Sequence, residues 1–89
     1  MPKLMLVISP TGIQTRKTFD GAEPDLKVLQ ELVGGYIEMV PHGFKLEGKR
    51  AYMYVNEDGL AKRLPVNLQA TMLCGGLHCI VGTAVLVQE

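Results

Sequence analysis

Two runs near opposite ends of the chain are apolar on both faces, residues 4–8 (LMLVI) and residues 79–87 (CIVGTAVLV). Successive side chains of a β-strand point to opposite sides of a sheet, so a strand without a polar face is covered above and below. A chain of 89 residues has the size of one domain. We therefore expect residues 1–89 to form a single small domain, with the two apolar strands side by side at the centre of one sheet.

Residues 9–19 predict a hairpin with the first apolar strand. Residues 9–12 (SPTG) carry proline second and glycine fourth, which is the chemistry of a type I turn. Residues 13–19 (IQTRKTF) alternate between one apolar-leaning face and one polar face, which is typical of a strand at or near the edge of a sheet.

The next segment predicts the main helix. Leu26, Leu29 and Val33 follow the i, i+3, i+7 spacing of a helix with one core-facing stripe. Gly34 or Gly35 then supplies the left-handed residue that ends the helix. Because this glycine pair follows a helix and precedes a strand, it has the wrong polarity for a loop that holds phosphate at a helix N-terminus.

The second half of the chain predicts further strands at residues 36–40 and 51–55, a loop or distorted strand at 42–46, and a short return strand at 60–64. A second, short helix follows, with Leu68, Met72 and Leu73 as its apolar residues. The predicted fold is α+β: a mixed sheet of four or five strands with one main helix across a face, in the order β-β-α-β-β-(α)-β. This order is similar to the β-grasp arrangement, in which the terminal strands pair in parallel, and it implies no function.

Charge and hydropathy exclude several classes of protein. Nine basic residues balance nine acidic ones, so the positive field that drives nonspecific binding to nucleic acid is missing. The one basic cluster is Lys45, Lys49 and Arg50, to which Lys62-Arg63 could be added if it lies nearby. It is interpreted as a solvated face, with contact to phosphate as the alternative. We find neither a signal peptide nor a run long enough to span a membrane, so we expect a cytoplasmic protein with reduced cysteines.

The residues that carry chemistry elsewhere do not form a recognisable pattern here. Cys74, His78 and Cys79 lie within six residues, and His42 could add a fourth ligand, but this is not the spacing of a zinc knuckle. The single serine, Ser9, stands in a predicted turn, and nothing in the sequence places a cysteine beside a histidine. We therefore predict no metal, no cofactor and no catalytic residue.

The candidate binding residues are aromatic or polar side chains on predicted strands and turns: Tyr36, Glu38, Tyr52, Tyr54, Asn56 and Asn67. If the strands of Tyr36 and of Tyr52 pair, two or three rings share one face, where they would stack a base, anchor a partner or cover a core edge. Glu38 is either an exposed-face residue or a ligand contact in a hollow. Asn56 and Asn67 are explained better as turn and helix-cap residues.

Several of these positions fall in segments that resemble a known family. Residues 29–38 (LQELVGGYIE), 55–60 (VNEDGL) and 80–87 (IVGTAVLV), together with Leu64-Pro65, Asn67 and Ala70-Thr71, resemble domain-of-unknown-function family 3846. The family consists of small proteins common in phage and mobile elements of bacteria, and it has no established activity. The resemblance covers most of the chain, but residues 74–79 and 41–50 depart from the pattern.

The resemblance and the residues together leave two classes of function open. The first is a non-enzymatic accessory protein that binds a host protein, with self-association as a further option. The second is a binder that sequesters a nucleotide-like host signal through Tyr36 and Glu38. An enzyme is the third and least favoured hypothesis, and neither nucleic acid nor membrane is expected as a partner.

Overall fold

The two apolar end strands lie next to each other inside a single sheet. The computed structural model describes residues 2–89, whose elements follow in the order β1 (Lys3–Ile8), β2 (Gln14–Phe19), α1 (Leu26–Val33), β3 (Ile37–Met39), β4 (Phe44–Leu46), β5 (Lys49–Asn56), α2 (Leu68–Leu73) and β6 (Ala84–Gln88). The sheet order is β2-β1-β6-β5-β3, and β4 also pairs with β5. The α+β class and the adjacent position of β1 and β6 are confirmed.

The direction of the strands differs from the prediction. Every neighbouring pair is antiparallel, including β1 and β6, in which Met5 lies opposite Val87 and Ile8 opposite Ala84. The predicted mixed sheet and the parallel pairing of the terminal strands are therefore wrong. The β-grasp-like order is not confirmed, nor is the predicted count of four or five strands, since the sheet has six. Strands covered on both faces are usual in parallel sheets. Here an antiparallel sheet has two covered faces because α1 packs on one and α2 on the other.

Two cores result from this arrangement, one on each side of the sheet. On the α1 side, Met5 and Val87 pack with Leu29 and Val33 of the helix. On the α2 side lies a larger set of buried side chains: Leu6, Ile8, Val40, Phe44, Leu46, Ala51, Met53, Val55, Ala70, Cys74, Ile80, Ala84 and Leu86. Since β1 and β6 contribute alternate residues to both cores, neither strand has a polar face. Each large side chain buried in this way contributes about 1.5–3 kcal/mol.

The helix α1 begins and ends where local chemistry places its caps. The Asp25 side chain accepts a hydrogen bond from the Lys27 backbone N–H at 2.9 Å, and Gly34 ends the helix with φ of 79°. The helix stop is thus confirmed, with Gly34 rather than Gly35 as the left-handed residue. The predicted core-facing stripe is wrong at its first residue, because Leu26 is 54% exposed. Within the helix only Leu29 and Val33 are buried.

The edge of the sheet beyond β5 consists of two short strands instead of one. β3 pairs with the second half of β5 and β4 with the first half, and residues 41–43 lie between them. Pro41 has no N–H to donate, so the ladder cannot continue through it. Residues 60–64 form turns rather than the predicted return strand, and β6 begins at Ala84 instead of residue 79.

A two-residue turn sets the register of β4 against β5. Glu47 and Gly48 both have positive φ, 50° and 78°, which is the backbone of a type I′ hairpin turn. Leu46 consequently lies opposite Lys49, and Lys45 opposite Arg50. Because residues directly opposite each other share a face, this turn brings two cations side by side.

The sheet coils around the α2-side core. Arg16 of β2 forms an ion pair with Glu47, although four strand intervals, or roughly 19 Å in a flat sheet, separate β2 from β4. Two side chains reach across that gap only if the sheet curls. The side chains of Arg16 and Glu47 are more than half exposed, so the pair contributes at most about 1 kcal/mol and reports the curvature instead of causing it. No helix within residues 2–89 is long and apolar enough to cross a membrane.

Candidate functional site

The predicted aromatic face is formed by two of the three tyrosines. Tyr52 and Tyr54 are two residues apart on β5 and therefore point to the same face of the sheet, on the α1 side. Glu38 lies opposite Val55 and therefore shares its face, which is the α2 side. Glu38 and the two tyrosines are thus on opposite faces of the sheet. Tyr36 precedes β3, is 69% exposed, and joins neither of the other rings.

Tyr54 covers the edge of the α1-side core. Its half-buried ring packs against that core, and burial raises the pKa of its hydroxyl above the usual 10.0, with the negative charge of Glu23 adding to the effect. The Tyr52 hydroxyl donates a hydrogen bond to the Glu89 carboxylate at 3.2 Å. Of the two rings, Tyr54 is therefore committed to packing, while Tyr52 stands beside charged groups.

Asn56 joins β5 to the end of α1. Its side chain is buried; Nδ2 donates to the Val33 carbonyl at 3.0 Å, and Oδ1 accepts from the Asp58 N–H at 2.8 Å. A Cβ on Gly35 would lie 2.9 Å from Nδ2, so the absence of a side chain there makes room for the amide. The predicted role of Asn56 as a turn residue is confirmed, and it extends to the helix terminus.

Asn67 is a fully buried junction. Its Oδ1 accepts from the Ala70 N–H at 3.1 Å and so caps α2, while its Nδ2 donates to the carbonyls of Ile8 and Gly82, both at 2.9 Å. The predicted helix-cap role is confirmed. The side-chain amides of Asn56 and Asn67 are both hydrogen-bonded to the backbone of the chain itself. Both residues therefore have structural roles.

A hollow of about 440 Å³ lies beside Glu38; we name it the Glu38 groove. Its lining combines apolar, acidic and sulfur- or imidazole-bearing residues: Glu38, Val40, Pro41, Val55, Asn56, Glu57, Gly59, Leu60, Leu77, His78, Cys79, Ile80 and Val81. Tyr36 is not part of it. Two carboxylates without a lysine or arginine make this groove unfavourable for phosphate and better suited to a neutral or cationic polar group.

The two cysteines differ in their surroundings. Cys74 is completely buried, its thiol donates weakly to the Ala70 carbonyl at 3.4 Å, and burial raises its pKa. Cys79 is exposed and lines the Glu38 groove. Among residues 2–89, no group of three or more His, Cys, Asp and Glu side chains is placed to hold a metal ion.

A second hollow, of about 490 Å³, lies over the β4–β5 hairpin; we name it the Lys45 groove. It is lined by basic and aromatic residues and two small ones: His42, Gly43, Phe44, Lys45, Arg50, Ala51 and Tyr52. His42 also packs edge to face against His78 of the Glu38 groove, with ring centroids 6.2 Å apart. The two grooves are therefore neighbours of opposite charge.

The outer side of α2 and the loop after it is apolar; we name Leu68, Met72, Leu73 and Leu77 together the α2 surface. Leu68 is 65%, Met72 69% and Leu77 75% exposed, since α2 turns Ala70 toward the core instead. The sequence pattern predicts Leu68, Met72 and Leu73 only as the apolar residues of a helix, without the direction in which they point. One signal was available: no Asp, Glu, Lys or Arg stands between Arg63 and Glu89.

Comparison with known proteins gives one match. The family model described as "Domain of unknown function (DUF3846)" matches residues 3–89. No curated protein and no solved structure matches the chain. The family match includes all the strands and helices described above, together with both grooves and the α2 surface.

Proposed function

Because the chain belongs to the DUF3846 family, whose description carries no activity, we propose a function from its surfaces: a non-enzymatic accessory protein of a phage or mobile element that binds a host protein in the cytoplasm. The observation that carries this proposal is the α2 surface. It presents four large apolar side chains to solvent on a chain of 89 residues. Apolar clusters of this kind on a small soluble domain mark sites of interaction.

The composition of the α2 surface fits the centre of a protein interface. Such centres are depleted of charge and enriched in methionine, and the segment from Leu64 to Gln88 contains no Asp, Glu, Lys or Arg. Met72 adds a flexible side chain that adapts to a partner's shape. Leu68, Met72 and Leu73 project from the helix and Leu77 from the loop after it. The partner that such a surface fits is a protein with an apolar groove or face.

The chemistry of the remaining residues supports a binding role over catalysis. Ser9, the only serine, has its hydroxyl in the β1–β2 turn, hydrogen-bonded to Thr11 Oγ1 at 2.9 Å and to the Ile13 N–H at 3.0 Å. The buried thiol of Cys74 has a raised pKa, which is the opposite of what a nucleophile needs.

Two variants and a control test the proposal. We expect tagged wild-type protein, purified from host cells, to retain one host protein in fixed stoichiometry in native mass spectrometry. Met72→Lys and Leu68→Gln should lose that protein while keeping the circular dichroism spectrum. Leu26→Gln is the matched control, since Leu26 is equally an exposed helical leucine but lies on α1, across the sheet.

Four results would contradict the proposal. One is retention of the host protein by Met72→Lys, and another is its loss from Leu26→Gln. The third is a wild-type protein that remains a monomer and retains nothing. The fourth is a wild-type protein that forms a dimer while Met72→Lys is a monomer. The α2 surface then serves self-association, and the host-protein assignment is wrong.

The second candidate function is the sequestering of a nucleotide-like molecule, and its predicted site needs revision. Glu38 does line a hollow, but Tyr36 does not, and Glu38 and Glu57 would repel a phosphate there. The observation that favours this candidate is the Lys45 groove, which has two cations and a tyrosine. A thermal-shift panel of mononucleotides and cyclic nucleotides tests it, and the absence of any shift would exclude it.

A further inference from the structure

We propose that the Lys45 groove is a binding site for a small phosphate-bearing aromatic molecule of mononucleotide size. This inference rests on the second candidate function and is independent of the α2 surface. It names the residues and the ligand class: Lys45 and Arg50 for the phosphate, and Tyr52 for the base. A volume of about 490 Å³ is in the range of small-molecule sites.

The first argument is the pairing of like charges. Lys45 and Arg50 are directly opposite across an antiparallel pair, where Cβ atoms lie roughly 5 Å apart and like charges destabilise the sheet. None of the residues that line the groove is acidic. An anion bound between the two side chains removes the repulsion, and a phosphate accepts from both the planar guanidinium fork and the ammonium group.

The second argument is the position of Glu89. Its carboxylate accepts from the Tyr52 hydroxyl at 3.2 Å, while its other oxygen lies 3.9 Å from Arg50 Nε. The latter distance is too long for a hydrogen bond, and both side chains are more than half exposed. The Glu89 carboxylate is therefore a weakly held intramolecular anion beside the groove. A phosphate, which carries a higher charge, displaces it from Arg50.

The third argument is the ring of Tyr52. It is half-buried and lies two residues after Arg50, on the same face of β5. A base stacks on such a ring, and stacking is favourable for every base because each has a π face. The Glu38 groove offers the reverse chemistry, with Glu38 and Glu57 and no lysine or arginine.

Adenosine 5′-monophosphate is the probe for calorimetry and thermal shift. At 100 times its Kd it should raise the Tm by roughly 10 °C or more. Lys45→Gln and Arg50→Gln should each weaken binding about tenfold, since each removes one charge-assisted contact. Tyr52→Leu should weaken binding of the nucleotide and leave binding of inorganic phosphate unchanged. Glu89→Gln should strengthen the binding of both.

Lys49→Gln is the matched control. Lys49 is the neighbour of Arg50 on β5 and is also exposed, but it points to the opposite face and is not part of the groove. We expect its affinity for the nucleotide to equal that of the wild type. Adenosine without phosphate should bind at least tenfold more weakly than the monophosphate.

Each remaining outcome overturns the proposal in a distinguishable way. Binding that Lys49→Gln weakens as much as Arg50→Gln shows nonspecific charge attraction. Binding that Lys45→Gln and Arg50→Gln leave intact places the ligand elsewhere, so the site is wrong while the second candidate function stands. No shift with adenosine 5′-monophosphate overturns the proposed site, and no shift with any member of the nucleotide panel overturns the second candidate function as well. Tighter binding of a single-stranded oligonucleotide than of the monophosphate makes the groove a nucleic-acid site instead.

Discussion

Replacing Asn67 by aspartate separates the two roles that its side chain performs. Its Oδ1 caps α2, and aspartate caps a helix about as well as asparagine does. Its Nδ2 donates to the carbonyls of Ile8 and Gly82, and aspartate has no such donor. If capping were the only role, Asn67→Asp would be almost neutral.

The structure predicts a large effect instead. Asn67→Ala loses the cap and two hydrogen bonds, at about 1 kcal/mol each, or about 3 kcal/mol in total. Asn67→Asp keeps the cap but places a carboxylate, at a position with 0% exposure, against two carbonyl oxygens. Burying an unpaired charge costs several kcal/mol, so we expect Asn67→Asp to be more destabilising than Asn67→Ala.

The effect of Asn67→Asp should depend on pH. Burial raises the pKa of the new carboxyl above its unfolded value of about 3.9, so the folded state binds the proton more tightly. The loss of stability relative to the wild type is therefore largest above the folded pKa. It shrinks as the pH falls through the folded pKa.

Urea denaturation followed by circular dichroism, at pH 7 and pH 5, measures these differences, with an unchanged m-value as the check for two-state behaviour. Gln14→Glu on the exposed strand β2 is the control for an added charge, and it should stay within about 0.5 kcal/mol of the wild type. An Asn67→Asp variant as stable as the wild type would refute the junction role.

Three further predictions concern the glycine pair and the two thiols. Gly34→Val should lower the free energy of unfolding by more than about 1 kcal/mol in urea because φ is 79°, and Gly34→Asn, which tolerates that φ, should be milder; equal losses would contradict a strain effect. Gly35→Ala and Asn56→Ala should each destabilise, but less than additively together in a double-mutant cycle, because the new Cβ displaces the Asn56 amide; additivity would exclude that contact. Cys79 should react with a disulfide reagent in the folded protein and Cys74 only after unfolding, with equal rates as the contrary result.

The features of the fold that the sequence predicted are those that depend on local pattern. Gly34 ends α1 because a left-handed residue is needed there, and β1 and β6 are central because neither has a polar face. Such a pattern does not predict strand direction, because parallel and antiparallel strands can be equally apolar. The segment of β4 is predicted only as a loop or distorted strand, because three residues carry too little alternation to identify a strand.

The candidate sites were predicted less completely, for a physical reason. A hollow beside Glu38 is only one of the two alternatives that the sequence leaves open. The Lys45 groove depends on the register that Glu47 and Gly48 set, and a one-residue change would separate Lys45 from Arg50. Leu68 and Met72 have the spacing of a core stripe. Only the packing of Ala70 reveals that they face outward.

The interrupted edge at β3 and β4 determines how other chains can approach. A long unpaired edge strand invites a neighbouring chain to add itself to the sheet, which is the usual beginning of aggregation. Here Pro41 divides one edge into two strands of three residues. The other edge, β2, carries Arg16 toward one face and Lys17 toward the other. Both edges are thus guarded against strand addition, so the partner and the ligand that we propose would have to approach the faces of the sheet, where the α2 surface and the Lys45 groove lie.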